Sequence, residues 1–177
     1  VQVKHAVTGL DALISLAGPA NKQGRIAADN VCGGDSRYKG SQGSSVIKLF
    51  DMTAATTGIN ETNALKAGLP VDTVVLSPMS QAGYYPGGKV MTMKVVFEKE
   101  TYRLLGAQIV GYAGVDKRID VLATAIRVGM KATELKELDL AYAPPYSSAK
   151  DPVNMAGFLI DNIANGTLKQ WHWEDEA

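Results

Sequence analysis

Cysteine, histidine and net charge are what this sequence has least of. The one cysteine, Cys32, excludes an internal disulfide and any cysteine-built metal cluster. It suits a reducing compartment, so the cytoplasm is expected. The two histidines, His5 and His172, stand at opposite ends of the chain in no triad or metal-ligand spacing, so no metal site is expected. Eighteen basic residues cancel eighteen acidic ones, which leaves no footprint for nucleic acid or an anionic membrane surface. No apolar run approaches the roughly 18 residues of a membrane span, and no cleavable apolar leader marks export. Partners are expected to be proteins or small molecules.

What is present suits one domain, or one domain with appendages, with a sizeable core: 177 residues, 46% of them hydrophobic. The most informative stretch runs from Ala141 to Gly166. Pro144 and Pro145 stiffen its first part and bias the residues before them to extended backbone, so Tyr142 and Tyr146 are presented on a rigid loop. Asp151 then reads as a helix N-cap, Pro152 as the first helical residue and Gly166 as the stop. Ala156, Leu159, Ile160 and Ile163 form an apolar stripe between them.

Upstream, residues 1–17 hold two short apolar runs around a turn at Thr8-Gly9-Leu10-Asp11, and they call for a partner sheet. Pro19 opens a small-residue helix through Ile26 to Val31. Its thin face suits either tight packing on a sheet or the close approach of a flat ligand, with free N–H groups at its start for an electron-rich oxygen. Cys32 beside it reads as an inert, partly buried thiol. A polar, glycine-rich boundary covers residues 33–45. A strand follows at 45–50, then a helix opened by Asn60 or Thr62 and closed near Gly68, then a strand at 72–76.

Gly83-Tyr84-Tyr85-Pro86-Gly87-Gly88-Lys89 has the first seven positions of a phosphate-binding loop. Val90 stands where the loop needs a hydroxyl, and a strand follows where it needs a helix, so a turn with tyrosines at its mouth is expected instead. The strand through Phe97 turns at 98–101 and returns antiparallel through Val110. From Asp116 to Gly129 runs a helix with Ile119, Leu122 and Ile126 on one side and Val121, Ala125 and Val128 on the other. Two apolar faces want two burials, which makes it a candidate subunit interface. Thr133 caps a shorter helix. The tail, Trp171-His172-Trp173, either packs back or begins another domain. Without a triad or metal cluster, the residues with a chemical role are the tyrosines, whose hydroxyls can donate a proton if a neighbour lowers their pKa from about 10.

Three segments, Leu16 to Asn30, Gly83 to Gly87, and Ala141 to Pro152 with Asn154-Met155-Ala156-Gly157, together resemble the C-terminal part of the pyridine nucleotide-disulfide oxidoreductases. The nearest branch is that of coenzyme A-disulfide reductase and the related NADH oxidases. The resemblance implies an α+β fold: a mixed, largely antiparallel sheet with helices on one side, preceded by a terminal piece of the FAD domain. Residues 1–34 would be that piece, 35–44 a linker, 45–166 the dimerisation domain and 167–177 a link toward a rhodanese-like domain. FAD and NAD(P)H would serve the intact parent, with none bound by this part alone. Pro19, Ala20, Asn21 and Gln23 would lie against the flavin. Tyr84 or Tyr85, and Tyr142 with its neighbour Tyr146, would reach the other subunit's active site and protonate a departing coenzyme A thiolate. The family's reactive cysteine has no match in Cys32. The competing reading is a free-standing self-association or small-ligand module.

Overall fold

The computed structural model describes residues 2–172. Its centre is a five-stranded sheet in the order β3-β4-β7-β6-β5, with every neighbouring pair antiparallel. The strands are β3 (Ser45–Leu49), β4 (Met52–Gly58), β5 (Val71–Leu76), β6 (Met91–Glu98) and β7 (Leu104–Gly111). The central hairpin β6–β7 alternates away from its turn, with Met91, Met93, Val95, Ala107 and Ile109 buried, while Val96, Phe97, Leu104 and Leu105 beside the turn are buried without alternation. The strand β4 carries no large aliphatic residue between Thr53 and Gly58, and the sequence reading passed over it.

Two helices pack on this sheet, α3 (Val115–Val128) against β4 and β7, and α4 (Pro152–Ala164) against β5 and α3. Asp151 caps α4 as expected: its carboxylate accepts from the Val153 N–H at 3.0 Å, and Pro152 takes the first helical position. Asn60 caps the short α2 (Glu61–Lys66) through the Asn63 N–H, and Lys94 of β6 pairs with Glu61 there. The α3 helix differs from the two-faced expectation. Ala125 is buried with Ile119, Leu122 and Ile126 in one core, Val121 is partly buried against it, and Val128 is 69% exposed. The outer side carries Asp116, Asp120, Thr124 and Arg127, so α3 has one apolar face and no second one to bury. The shorter helix is a 3-10 turn, Ala132–Glu137, capped at Lys131 rather than Thr133, where the Lys131 N–H donates to Glu134.

The first 31 residues behave differently. β1 (Gln2–Lys4) and β2 (Asp11–Leu13) pair with each other instead of joining another sheet. The helix α1 (Ala17–Val31) has no buried residue, and Cys32 beyond it is exposed rather than partly buried. At the other end, the tail lies along β5. Gln170 donates to the Thr73 carbonyl at 2.6 Å, and the His172 ring is 3.2 Å from Asp72. Trp171 is 61% exposed. Trp173 lies outside the described residues.

Candidate functional site

Two loops converge at one end of α3. The first, between β5 and β6, carries Tyr84 and Tyr85, and the second, between the 3-10 turn and α4, carries Tyr142 and Tyr146. They bring the Tyr84 and Tyr142 hydroxyls to 3.1 Å of each other, although 58 residues separate them in sequence. Both rings stay open to solvent, Tyr84 at 78% and Tyr142 at 45% exposure. The hydrogen bond to Tyr84, with some burial, pushes the Tyr142 phenol above its ordinary value. That is opposite to the lowering expected, and it keeps the group protonated and able to donate at neutral pH. Tyr85 and Tyr146 are also exposed, and neither phenol shares this bond.

Beside Tyr142 lies a cavity of about 540 Å³ whose lining includes Tyr142, Tyr146, Pro145, Lys117 and Arg118 but not Tyr84. Lys117 reaches the Ala141 carbonyl at 3.4 Å. Arg118 is the residue that the sequence reading missed. It is 1% exposed and pairs with Asp151, itself 3% exposed, at 2.9 Å. It also donates to the carbonyls of Ser80 (2.9 Å), Gly114 (3.1 Å) and Tyr146 (3.4 Å), and to Ser147 Oγ (3.1 Å). Ser147 Oγ donates in turn to Asp151. Burial pushes the Asp151 carboxyl up, but the bonds from Arg118, Ser147 and the Val153 N–H outweigh it and hold the group below its usual range. The available signal was a charge inside an apolar stripe: Arg118 falls at helical spacing from Val115 and Leu122.

The other expected positions are apart from this cluster. Pro19, Ala20, Asn21 and Gln23 sit on the first turns of α1, where Asn21 donates to Ala17 O (2.9 Å) and Gln23 to Pro19 O (3.2 Å). A cleft of about 1070 Å³ separates α1 from the outer face of α3, with Pro19, Asn21, Arg25, Asp120 and Arg127 among its walls.

Residues 44–152 match the family model for the pyridine nucleotide-disulphide oxidoreductase dimerisation domain. The chain belongs to this family. Within it, a coenzyme A disulfide reductase of Staphylococcus epidermidis is 40% identical over 150 residues, covering 84% of this chain and 34% of the relative. A CoA-dependent NAD(P)H sulfur oxidoreductase of Pyrococcus abyssi is 38% identical over 152 residues, 86% of this chain and 34% of the relative. Among solved structures, that of reduced Bacillus anthracis CoADR-RHD superposes with a TM-score of 0.94 at 46% identity, over 99% of this chain and 32% of that one. The chain therefore spans about a third of the length of the curated relatives it matches. Family and fold agree with the sequence reading, and the matched residues contain the antiparallel sheet and α3. Among the described residues, no helix is long and apolar enough to cross a membrane, and no group of three or more His, Cys, Asp or Glu could hold a metal.

Proposed function

We propose that this chain is the homodimerising part of a flavin-dependent NAD(P)H:disulfide oxidoreductase, and that Tyr84 and Tyr142 complete the partner subunit's active site. The observation that carries this reading is the hydroxyl pair itself. Two phenols 3.1 Å apart on loops from different parts of the sequence face solvent, where a second subunit can cover them. Two-electron reduction of a disulfide breaks the S–S bond and leaves a thiolate that needs a proton. Tyr142, hydrogen-bonded to Tyr84, is the donor, and solvent restores its proton afterwards. The substrate is a coenzyme A disulfide or persulfide, in keeping with the names of the relatives. Tyr85 and Tyr146 flank the pair and shape access to it.

In this reading residues 1–34 end the FAD domain, 35–44 link it to the dimerisation domain at 45–166, and 167–177 lead onward, in the cytoplasm. The residues on α1 fit a flavin in one respect: its first turn is uncovered, and even a Cβ added at Gly18 would meet nothing within 4 Å. Pro19, Ala20, Asn21 and Gln23 would lie against that flavin, which would supply the hydride acceptor for NAD(P)H and the electrons for the disulfide. Self-association is supported by apolar residues left open on the sheet. Ile47, Ala54 and Val110 share one row across β3, β4 and β7, with Ile47 56% and Val110 41% exposed, and Phe50 at the β3–β4 turn is 98% exposed.

In the intact parent, Tyr142→Phe should slow disulfide reduction by about 10²-fold while flavin reduction by NAD(P)H keeps its rate. Rapid-mixing absorbance resolves the two half-reactions; equal loss in both, or loss in neither, removes the assigned role. Because the Tyr142 pKa is raised and the protonated form acts, the wild-type disulfide step should fall as pH rises through that value. The Phe variant should lack this limb. By itself the chain should elute as a dimer without flavin absorbance, whereas a monomer that takes up a small ligand would favour the free-standing module.

A further inference from the structure

We propose that Arg118 is the positioning residue for the Tyr84–Tyr142 pair, holding the two tyrosine loops in register from beneath. The inference rests on the reading that this pair serves disulfide reduction. The observations on which it stands are the partners of one guanidinium. Its Nη2 donates to Ser80 O, on the segment leading to Tyr84, and to Tyr146 O and Ser147 Oγ, on the segment leaving Tyr142. Its Nε and Nη2 grip Asp151 at the head of α4, and its Nη1 returns to Gly114 O at the start of α3. The two loops touch directly as well, through the Ala82 N–H and the Ser147 carbonyl at 2.9 Å. Tyr146 and Ala143 close the second loop by a further backbone bond of 2.9 Å, so the constraint at Tyr146 passes back toward Tyr142. A planar guanidinium sends N–H groups in three fixed directions, with the two on Nη2 shared among Ser80, Tyr146, Ser147 and Asp151, and an ammonium cannot reproduce that spread. A purely charge-balancing role against Asp151 would need only the positive charge. The spread of bonds over Ser80, Gly114 and Tyr146 points to geometry.

The decisive variant is therefore Arg118→Lys in the intact flavoenzyme, with Ser147→Ala as a milder one that leaves the Arg118–Asp151 pair in place. If Arg118 sets the pair, Arg118→Lys should fold and keep its rate of flavin reduction, while disulfide reduction falls about 10- to 100-fold, as a displacement near 1 Å costs. Combining it with Tyr142→Phe should add little further loss, because both remove the same contribution. Ser147→Ala should show a smaller loss of the same kind. Full rescue by lysine, or multiplicative losses in the double variant, would overturn the proposal.

A second readout does not depend on turnover. In the parent labelled with fluorotyrosine, Tyr84→Phe should shift the Tyr142 ¹⁹F resonance, and in the Arg118→Lys background this response should vanish. A response that persists there rejects the positioning role. If Tyr142→Phe leaves disulfide reduction unchanged but the ¹⁹F response depends on Arg118, the catalytic reading fails and the positioning stands.

Discussion

Asp151→Asn is expected to lower the stability of the chain by about 3–5 kcal/mol, the cost of leaving one member of a buried ion pair uncompensated. Asparagine keeps the shape and can still accept from the Val153 N–H, so the helix cap survives. What it loses is the charge facing Arg118, which is 1% exposed and has Asp151 as its carboxylate partner. The pH dependence separates this cause from a packing defect. The folded-state pKa of Asp151 lies below its ordinary value, so its contribution is present above the unfolded-state value, near 4, and is lost as pH falls through the folded-state value. Denaturant melts of wild type and variant should therefore differ most near neutrality and converge in acid. A gap that stays constant down to about pH 2 would mean that the ion pair is not its source.

How legible this arrangement was in the sequence depended on the range of the interactions. The α4 helix was readable because its signals are local: a capping carboxylate, a proline that loses nothing at the first position, and a glycine at positive φ after the end. The β6–β7 hairpin was readable for the same reason, from two strand-like apolar runs on either side of a short polar turn. The strand β4 escaped because its threonines, although β-branched, are mixed with alanines and no large aliphatic residue after Met52 marks a buried face. Its place is decided by pairing between β3 and β7, which lies far along the chain. The outer face of α3 misled because Val121 and Val128 counted as apolar while the charges just before each, Asp120 and Arg127, were passed over. Tyr142 and Tyr84 were named through resemblance, but their meeting at 3.1 Å could not be read from either loop. Arg118 was missed although its helical spacing from Val115 and Leu122 marked it as a charge in an apolar stripe; its acceptors on the tyrosine loops and at Asp151, 28 to 38 residues away, could not be read from the sequence.

Gly157→Ala should be among the most damaging single-methyl changes in the chain, costing about 3 kcal/mol or more, although helix propensity alone argues for a gain of roughly 1 kcal/mol. The decision turns on what the methyl meets. A Cβ at Gly157 would lie 2.3 Å from Lys136 N, 2.7 Å from Leu135 C and 2.9 Å from Leu135 Cβ, two of which are backbone atoms of the 3-10 turn. That backbone cannot simply retreat, because Asn154 ties the Leu135 and Leu138 carbonyls to α4 with bonds of 3.0 Å each. Forced apart, α4 would carry Asp151 away from Arg118, so the strain should spread toward the tyrosine loops and raise the loss above that of a simple overpacked core. Gly83 supplies the control. It stands beside Tyr84, has no atom within 4 Å of an added Cβ, and should accept alanine within about 0.5 kcal/mol. If thermal unfolding instead showed Gly157→Ala to be stabilised, as an exposed helical glycine would be, the close seating of α4 on the 3-10 turn would be wrong. The support proposed beneath Tyr142 would then lose its footing.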